Sequence, residues 1–371
     1  MKIALLVPGG VDRSGTVRVI PCLLWLIERL AAAGHEVHVF AARQERRPGT
    51  WPLLGATVHN VGRRPGSLWM LGAITAEHRK ARFDLIHAFW SSLGAIGVLA
   101  GKWLHVPTVV TLAGGEVVGL ADIEYGSLLS RRGRLALRVV SRWAAAVNTP
   151  SRFMRDLAAG LGVTAKVVPL GVDLVRWPPA LPRPRDEAQP VRLLHVASLN
   201  RVKDQPTLLK AMAGLLADGI DFELTVIGYD TLGGEIQRMA IRLGLGSRVR
   251  FLGEAMHGEM RPWFEWADLL VMASRHEAGP LVTLEAAVAG VPTVGTRVGH
   301  IADLAPNAAM SVPSGDAPAL AAAIGALARD EPRRLHLAAA AHAIAVHHDA
   351  DFTARTFLET YAQFAPTDAP R

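Results

Sequence analysis

The residues best placed to do chemistry lie between Ser274 and Ala286, and read Ser-Arg-His-Glu-Ala-Gly-Pro-Leu-Val-Thr-Leu-Glu-Ala. An apolar run that reads as a strand precedes them, Gly279-Pro280 makes a turn, and a helical pattern follows. A helix that opens after such a turn leaves its first amides without intrahelical acceptors, here those of Leu281, Val282 and Thr283. Amides of that kind suit the oxygens of a diphosphate. Glu277 stands in the loop before them and Glu285 two turns into the helix. Carboxylates repel phosphate, so the pair is expected to address hydroxyl groups, one on a sugar and one on a ribose.

A second group runs from His195 to Asp204, where a strand enters a short polar loop and then a helix. A cation there faces phosphate oxygens, and Lys203 is the expected one. Arg201 reads either as a second phosphate contact or as a solvated loop charge. Pro8-Gly9-Gly10-Val11 follows the first strand, and Gly9 and Gly10 allow a backbone to approach a donor phosphate closely. Glu116, after Gly114-Gly115, reads as an acceptor contact or a plain loop glutamate. His87 reads as an acceptor-pocket residue or a satisfied core histidine. Asp349-Ala350-Asp351 has the look of a metal site, but its place before the last helix predicts capping chemistry. With no carboxylate cluster at the phosphate loops, no metal and no cofactor are expected.

The elements that must position these loops follow a regular rhythm. In the first half, strands at Lys2–Val7, Glu36–Phe40, Leu85–Ala88, Thr108–Leu112, Ala144–Val147 and Lys166–Val168 alternate with helical segments, the first over Val17–Ala33. The second half repeats the alternation from Arg192 to Gly295. Strand, helix, strand in this order predicts parallel βαβ units. The fold expected is α/β, with two doubly wound, Rossmann-like sheets facing a cleft. The domains expected are 1–168, joined by a C-terminal helix over 352–365, and 191–350, with the Pro- and Arg-rich stretch 169–190 as linker. Open sheets of this kind bind ligands outside the carboxyl ends of their strands.

Composition narrows the partners. The single cysteine, Cys22, cannot close an internal disulfide, which favours a reducing, cytoplasmic setting. Met1–Pro8 is too short for the apolar core of a secretory signal, and no apolar run is long enough to span a bilayer. The net charge of +7 is uneven: residues 1–168 carry 21 Lys and Arg against 10 Asp and Glu, a net of +11. Arg131–Trp143 is a basic amphipathic stretch with Arg134, Arg138 and Arg142 on one helix face and Leu135, Val139 and Trp143 on an adjacent stripe. It reads equally as a peripheral contact with the inner face of an anionic membrane and as an ordinary packed helix. No nucleic-acid motif accompanies the charge, so nucleic acid is not expected.

Glu277 and Glu285 have the E-x7-E spacing of GT-B glycosyltransferases, and the chain resembles glycosyltransferase family 4. Val168-Pro169-Leu170-Gly171-Val172-Asp173 is similar to the family's P-N-G-V-D segment, with Leu170 in place of Asn. Gly290-Val291-Pro292-Thr293-Val294 is similar to its G-x-P-V-V segment, and Val249–Gly253 to the strand whose end, here Leu252, meets the base. Two departures stand out: Ser198 holds the usual Arg position, and Ala113 the position of a sugar-touching His. The resemblance implies a hexosyltransferase that moves a sugar from a nucleoside diphosphate with retention, onto a lipid, polysaccharide or small metabolite. It implies Glu277 and Lys203 as catalytic groups. Ser198, Arg201, Leu252 and Pro280–Thr283 are implied as donor contacts, with Glu285 on the ribose. A nucleotide-sugar epimerase of the same fold, or an inactive binding protein, are the alternatives.

Overall fold

A computed structural model describes residues 1–62 and 66–364. The chain divides into two compact units, Met1–Leu170 with the chain from Ala350 onward, and Gly171–Asp349.

The first unit is built on one sheet. Its strands are β1 (Lys2–Val7), β2 (Glu36–Ala41), β3 (Gly49–Leu53), β4 (Ala56–Asn60), β5 (Leu85–Phe89), β6 (Thr108–Thr111), β7 (Ala146–Thr149) and β8 (Lys166–Val167). They lie in the order β3-β4-β2-β1-β5-β6-β7-β8. Every neighbouring pair is parallel except β3 with β4. All six residues of β1 are buried, which is why residues 3–7 read as an unbroken apolar run. The helices are α1 (Pro21–Ala32), α2 (Gly66–Lys80), α3 (Ser91–Leu104), α4 (Arg131–Trp143) and α5 (Arg152–Ala159).

The second unit has β9 (Val191–Val196), β10 (Phe222–Ile227), β11 (Val249–Gly253), β12 (Leu269–Met272), β13 (Thr293–Thr296) and β14 (Ala309–Val312). All are parallel, in the order β11-β10-β9-β12-β13-β14. Counted from β9, that is the doubly wound order 3-2-1-4-5-6, whose direction reverses between β9 and β12. Its helices are α6 (Gln205–Ala217), α7 (Glu235–Arg242), α8 (Arg261–Trp266), α9 (Leu281–Val288), α10 (Gly299–Leu304), α11 (Ala317–Arg329) and α12 (Glu331–His347). The last helix, α13 (Ala350–Ala362), returns to the first unit, where Phe357 and Tyr361 are buried with β1 and β5 residues.

Local differences from the sequence reading have local causes. α1 starts at Pro21 rather than Val17, because proline suits the first helical position and Ile20 is tied back to the Gly10 carbonyl. The β3–β4 hairpin is unannounced in the sequence, since Pro52 lies within β3; the edge position tolerates it. Asp351 lies in the first turn of α13 and pairs with Arg29 on α1.

Residues 171–190 pack on the second unit. Trp177 is fully buried, edge-on to Phe264, and its indole N–H donates to the Glu285 carbonyl at 3.0 Å. Arg183 donates to the carbonyls of Glu265, Trp266 and Ala267. No helix among the described residues is long and apolar enough to cross a membrane.

Candidate functional site

In the second unit the chain reverses direction between β9 and β12, so the loops leaving those two strands are neighbours. The loop after β9 carries Lys203, and the loop after β12 carries Glu277. Their side chains meet: Lys203 Nζ lies 2.5 Å from Glu277 Oε1, and the Ser274 hydroxyl donates to the same oxygen at 2.7 Å. Glu277 is 8% exposed. A desolvated carboxylate stays charged only with such partners.

Several contacts hold this pair in place. The Asn200 side chain caps the short turn Arg201–Lys203 by accepting from the Lys203 amide at 3.1 Å. Asp204 then takes a left-handed conformation, φ 48°, and caps α6. The Arg275 amide donates to the Val202 carbonyl at 2.7 Å, which stitches the two loops together. Beneath them His195 is fully buried; it pairs with the Val271 carbonyl at 2.8 Å and with Gln205, whose amide also holds the Ser198 carbonyl. Burial depresses His195 to about 4, so this support stays neutral at neutral pH.

The start of α9 faces the same loop. The amides of Leu281 and Val282 have no acceptor among the described residues, but Thr283 differs from expectation. Its amide donates to the Pro280 carbonyl at 3.2 Å and its hydroxyl packs on the Met272 sulfur, since Pro280 closes a tight first turn. Two amides, rather than three, are therefore free for phosphate. Glu285 is 2% exposed and its Oε1 lies 2.6 Å from His257 Nε2. His257 in turn sits against Trp177, which holds the Glu285 backbone carbonyl. Ser198, Arg201 and Leu252 are exposed at loop or strand ends.

Sequence reasoning missed His300. It lies in the first turn of α10 at 5% exposure, and its Nε2 has no hydrogen-bond partner among the described residues. Burial lowers it to about 4, offset in part by the charge of Glu277. The backbone before it passes so close that a Cβ on Gly299 would stand 3.0 Å from the Glu277 Cβ and 2.8 Å from Pro280 Cδ. An orphaned buried ring nitrogen beside a paired Lys and Glu is a group lacking a ligand atom. His257, Ser274 and Asn200 were missed as well; each is an ordinary polar residue until the fold brings it to its partner.

The first unit has its own reversal point, between β1 and β5. A cavity of about 260 Å³ opens there, lined by Pro8, Trp90, Ser91, Gly115, Glu116 and Ser127 among others. Trp90 holds a positive φ of 65°, a strained setting for a bulky residue. Glu116 is buried and accepts the amides of Ala113 at 3.1 Å and Gly114 at 2.7 Å. Burial pushes its carboxyl up to about 7, against the pull of those amides. Gly10, φ 79°, is required by packing: a Cβ there would overlap Ile20. Gly9 packs against Gln44, whose Oε1 accepts the Val11 amide at 3.0 Å.

His87 does not belong to this cavity. It is fully buried, with Tyr361 Oη at 2.6 Å on one ring nitrogen and Thr111 Oγ1 at 2.8 Å on the other. Both nitrogens are used, so it has nothing to offer an acceptor; it fastens α13 to the first sheet.

Residues 190–330 match the family described as glycosyl transferases group 1, and residues 19–173 the glycosyl transferase 4-like domain. D-inositol 3-phosphate glycosyltransferase of Corynebacterium jeikeium is 30% identical over 320 residues, covering 80% of this chain and 76% of the relative. The same enzyme of an Arthrobacter species is 29% identical over 326 residues, covering 79% and 76%. Among solved structures, sucrose-phosphate synthase of Thermosynechococcus elongatus superposes with a TM-score of 0.80 at 21% identity, over 98% of this chain and 99% of that one. HepE of Anabaena, in complex with UDP-glucose, superposes with a TM-score of 0.75 at 20% identity, over 98% and 100%.

Proposed function

Because the chain belongs to the group 1 glycosyltransferases, with GT-B architecture, we propose that it transfers a sugar with retention from a UDP-sugar to an anionic hydroxylated acceptor. The observation that carries this reading is the meeting of Lys203 and Glu277 at the reversal point of the second sheet, on the loop that leads into the start of α9. UDP is the first nucleotide to test, because the likeness to the Anabaena protein bound to UDP-glucose spans nearly the whole chain.

In this reading the diphosphate lies over the start of α9 and draws Lys203 toward it. Glu277 then holds sugar hydroxyls, with His300 Nε2 supplying a further hydrogen bond. The acceptor oxygen bonds to the anomeric carbon on the face from which the diphosphate departs. The bond from the anomeric carbon to the phosphate oxygen breaks, and the acceptor's proton passes to that leaving phosphate. Lys203 and the amides stabilise the charge that develops there. A double-displacement route needs two carboxylates about 5 Å apart across the anomeric carbon; Glu285 is turned to His257 instead, which favours the single-face path. The charge on the diphosphate is met by Lys203 and backbone, so transfer is read as independent of a divalent metal.

The acceptor side is assigned to the cavity of Trp90, Ser91 and Glu116 in the first unit. The relatives are named for D-inositol 3-phosphate, and the net of +11 over residues 1–168 suits a phosphorylated polyol or an anionic lipid headgroup. The α4 surface supports peripheral contact with an anionic membrane. Only Leu137 and Val140 of α4 are buried; Leu135 and Trp143 are exposed among Arg131, Arg132, Arg138 and Arg142, and exposed Leu99 and Trp103 lie on α3, which packs against it. Arg134 is held by the Leu128 carbonyl.

Incubation with UDP-glucose and inositol 3-phosphate, followed by proton NMR of the product, tests the reaction. An α-configured product from the α-configured donor supports it, and a β-configured product overturns the retaining mechanism. UDP binding without transfer to any acceptor would instead restore the binding-protein reading.

Lys203→Met is expected to weaken UDP binding by roughly 10- to 30-fold, the loss of a charge-assisted hydrogen bond in a half-buried site. Calorimetry with an unchanged dissociation constant removes Lys203 from the phosphate site. For the α4 surface, the double variant Arg138→Glu/Arg142→Glu is expected to lower partitioning onto phosphatidylserine vesicles about 30-fold at low salt, at ~1 kcal/mol per lost cation. Equal co-sedimentation of variant and parent would assign α4 to ordinary packing.

A further inference from the structure

Away from the sites above, β2, β4 and α2 of the first unit bring together three groups that the transfer reaction does not use: His38, His59 and Glu77. His38 on β2 and His59 on β4 sit on neighbouring parallel strands, and Glu77 comes from α2. Each offers one ligand atom, and these atoms all lie within 4.8 Å of one another. We propose that His38 Nδ1, His59 Nε2 and the Glu77 carboxylate bind a late first-row divalent ion of the Zn²⁺ type, tying the β3–β4 edge of the first sheet to α2.

The donor set is the argument. Two imidazoles and one carboxylate are the ligands Zn²⁺ takes when it keeps a fourth position for water. His38 Nδ1 and His59 Nε2 are hydrogen-bonded to each other at 2.9 Å and need to part by only about 0.5 Å to share a tetrahedral ion. The other ring nitrogen of His38 meets Glu36 Oε1 at 2.8 Å, and Glu36 is held in turn by Lys2 at 3.1 Å. A carboxylate on the outer nitrogen of a ligating histidine orients the ring and makes its ligand atom more basic.

The rings are also held in place. His59 stacks on Phe40 with centroids 4.9 Å apart, and His38 meets the edge of Phe83 at 5.5 Å. Glu77 accepts Lys80 on Oε1, so its second oxygen is the one offered to an ion. The wider ligand separations must close to roughly 3.4 Å for a tetrahedral ion, which small side-chain swings supply. His59 also lines a cavity of about 750 Å³ beside Thr50 and Gly72, which gives an ion its path.

The test uses the whole chain without added histidines. Calorimetric titration with Zn²⁺ alone is expected to show one ion per chain at micromolar affinity or better, and Co²⁺ to give the visible bands of a tetrahedral site. Glu77→Gln and His59→Gln should each weaken Zn²⁺ binding at least about tenfold, and Glu36→Gln, which touches no ion, by about tenfold through His38. Circular dichroism of each variant checks that the parent's fold is kept. The proposal is overturned if no ion binds at millimolar Zn²⁺, or if Glu77→Gln and His59→Gln bind it as the parent does. It is equally overturned if binding disappears only in His347→Gln/His348→Gln, the other adjacent histidine pair.

Discussion

Glu277→Gln is expected to lower turnover by about 10²- to 10³-fold while leaving UDP affinity within about threefold of the parent. Gln keeps the shape of the side chain and can still meet the Ser274 hydroxyl 2.7 Å away. It loses the charge, and with it the strong acceptor for sugar hydroxyls. If those contacts tighten as positive charge grows on the sugar, their loss falls on the rate and not on nucleotide binding. Lys203 also loses its partner at 2.5 Å and becomes fully available to the diphosphate, so nucleotide affinity should hold or rise. Steady-state kinetics with UDP-glucose, beside calorimetry with UDP, separate the two effects. An unchanged kcat would strip Glu277 of its role. Equal losses in turnover and UDP affinity would instead mean that the substitution had disturbed the loop and its fold.

The second large effect concerns stability. Arg334→Met is expected to lower the unfolding free energy by about 3–5 kcal/mol, because it removes one partner of a buried ion pair. The Arg334 side chain is 2% exposed and holds four oxygens of three groups at once. It forks onto both oxygens of Glu331 at 2.6 and 2.7 Å, and donates to the Asp268 carbonyl at 3.2 Å and the Arg183 carbonyl at 2.6 Å. Met fills comparable volume but leaves Glu331, itself hydrogen-bonded to the Arg185 amide, without its main counter-charge. Arg334→Lys should recover only part of the loss, since an ammonium cannot copy the planar fork. Urea denaturation checks the magnitude, and hydrogen exchange at the β12 amides, next to Asp268, checks the place. A loss below about 1 kcal/mol would show that the network contributes no more than a surface pair does.

The contrast between Lys203 and His87 shows how far sequence patterns reach. Lys203 could be found because strand, loop and helix follow one another locally, and a cation in that loop has few other roles. His87 lies within β5, and its partners Thr111 and Tyr361 are 24 and 274 residues away. Periodicity tells which face of an element is buried, and it does not tell which groups meet on that face. The same holds for Thr283: the motif promised three free amides, and the hydrogen bond to Pro280 leaves two.

By itself the sequence determined the alternation of buried strands and helices, hence two parallel sheets, and placed Glu277 and Lys203 in loops after strands and Glu285 on the helix that follows. Those features depend on neighbours within about 15 residues, where apolar period, turn residues and caps are direct consequences of backbone sterics and hydrogen bonding. The tertiary structure alone decided that β9 and β12 are adjacent, and with that the Lys203–Glu277 pair across 74 residues of chain. It also decided the contacts of Glu285 with His257 and Trp177, the unpartnered nitrogen of His300 and the convergence of His38, His59 and Glu77. Strand order and register are set by the summed packing of whole sheets, a property no single segment carries.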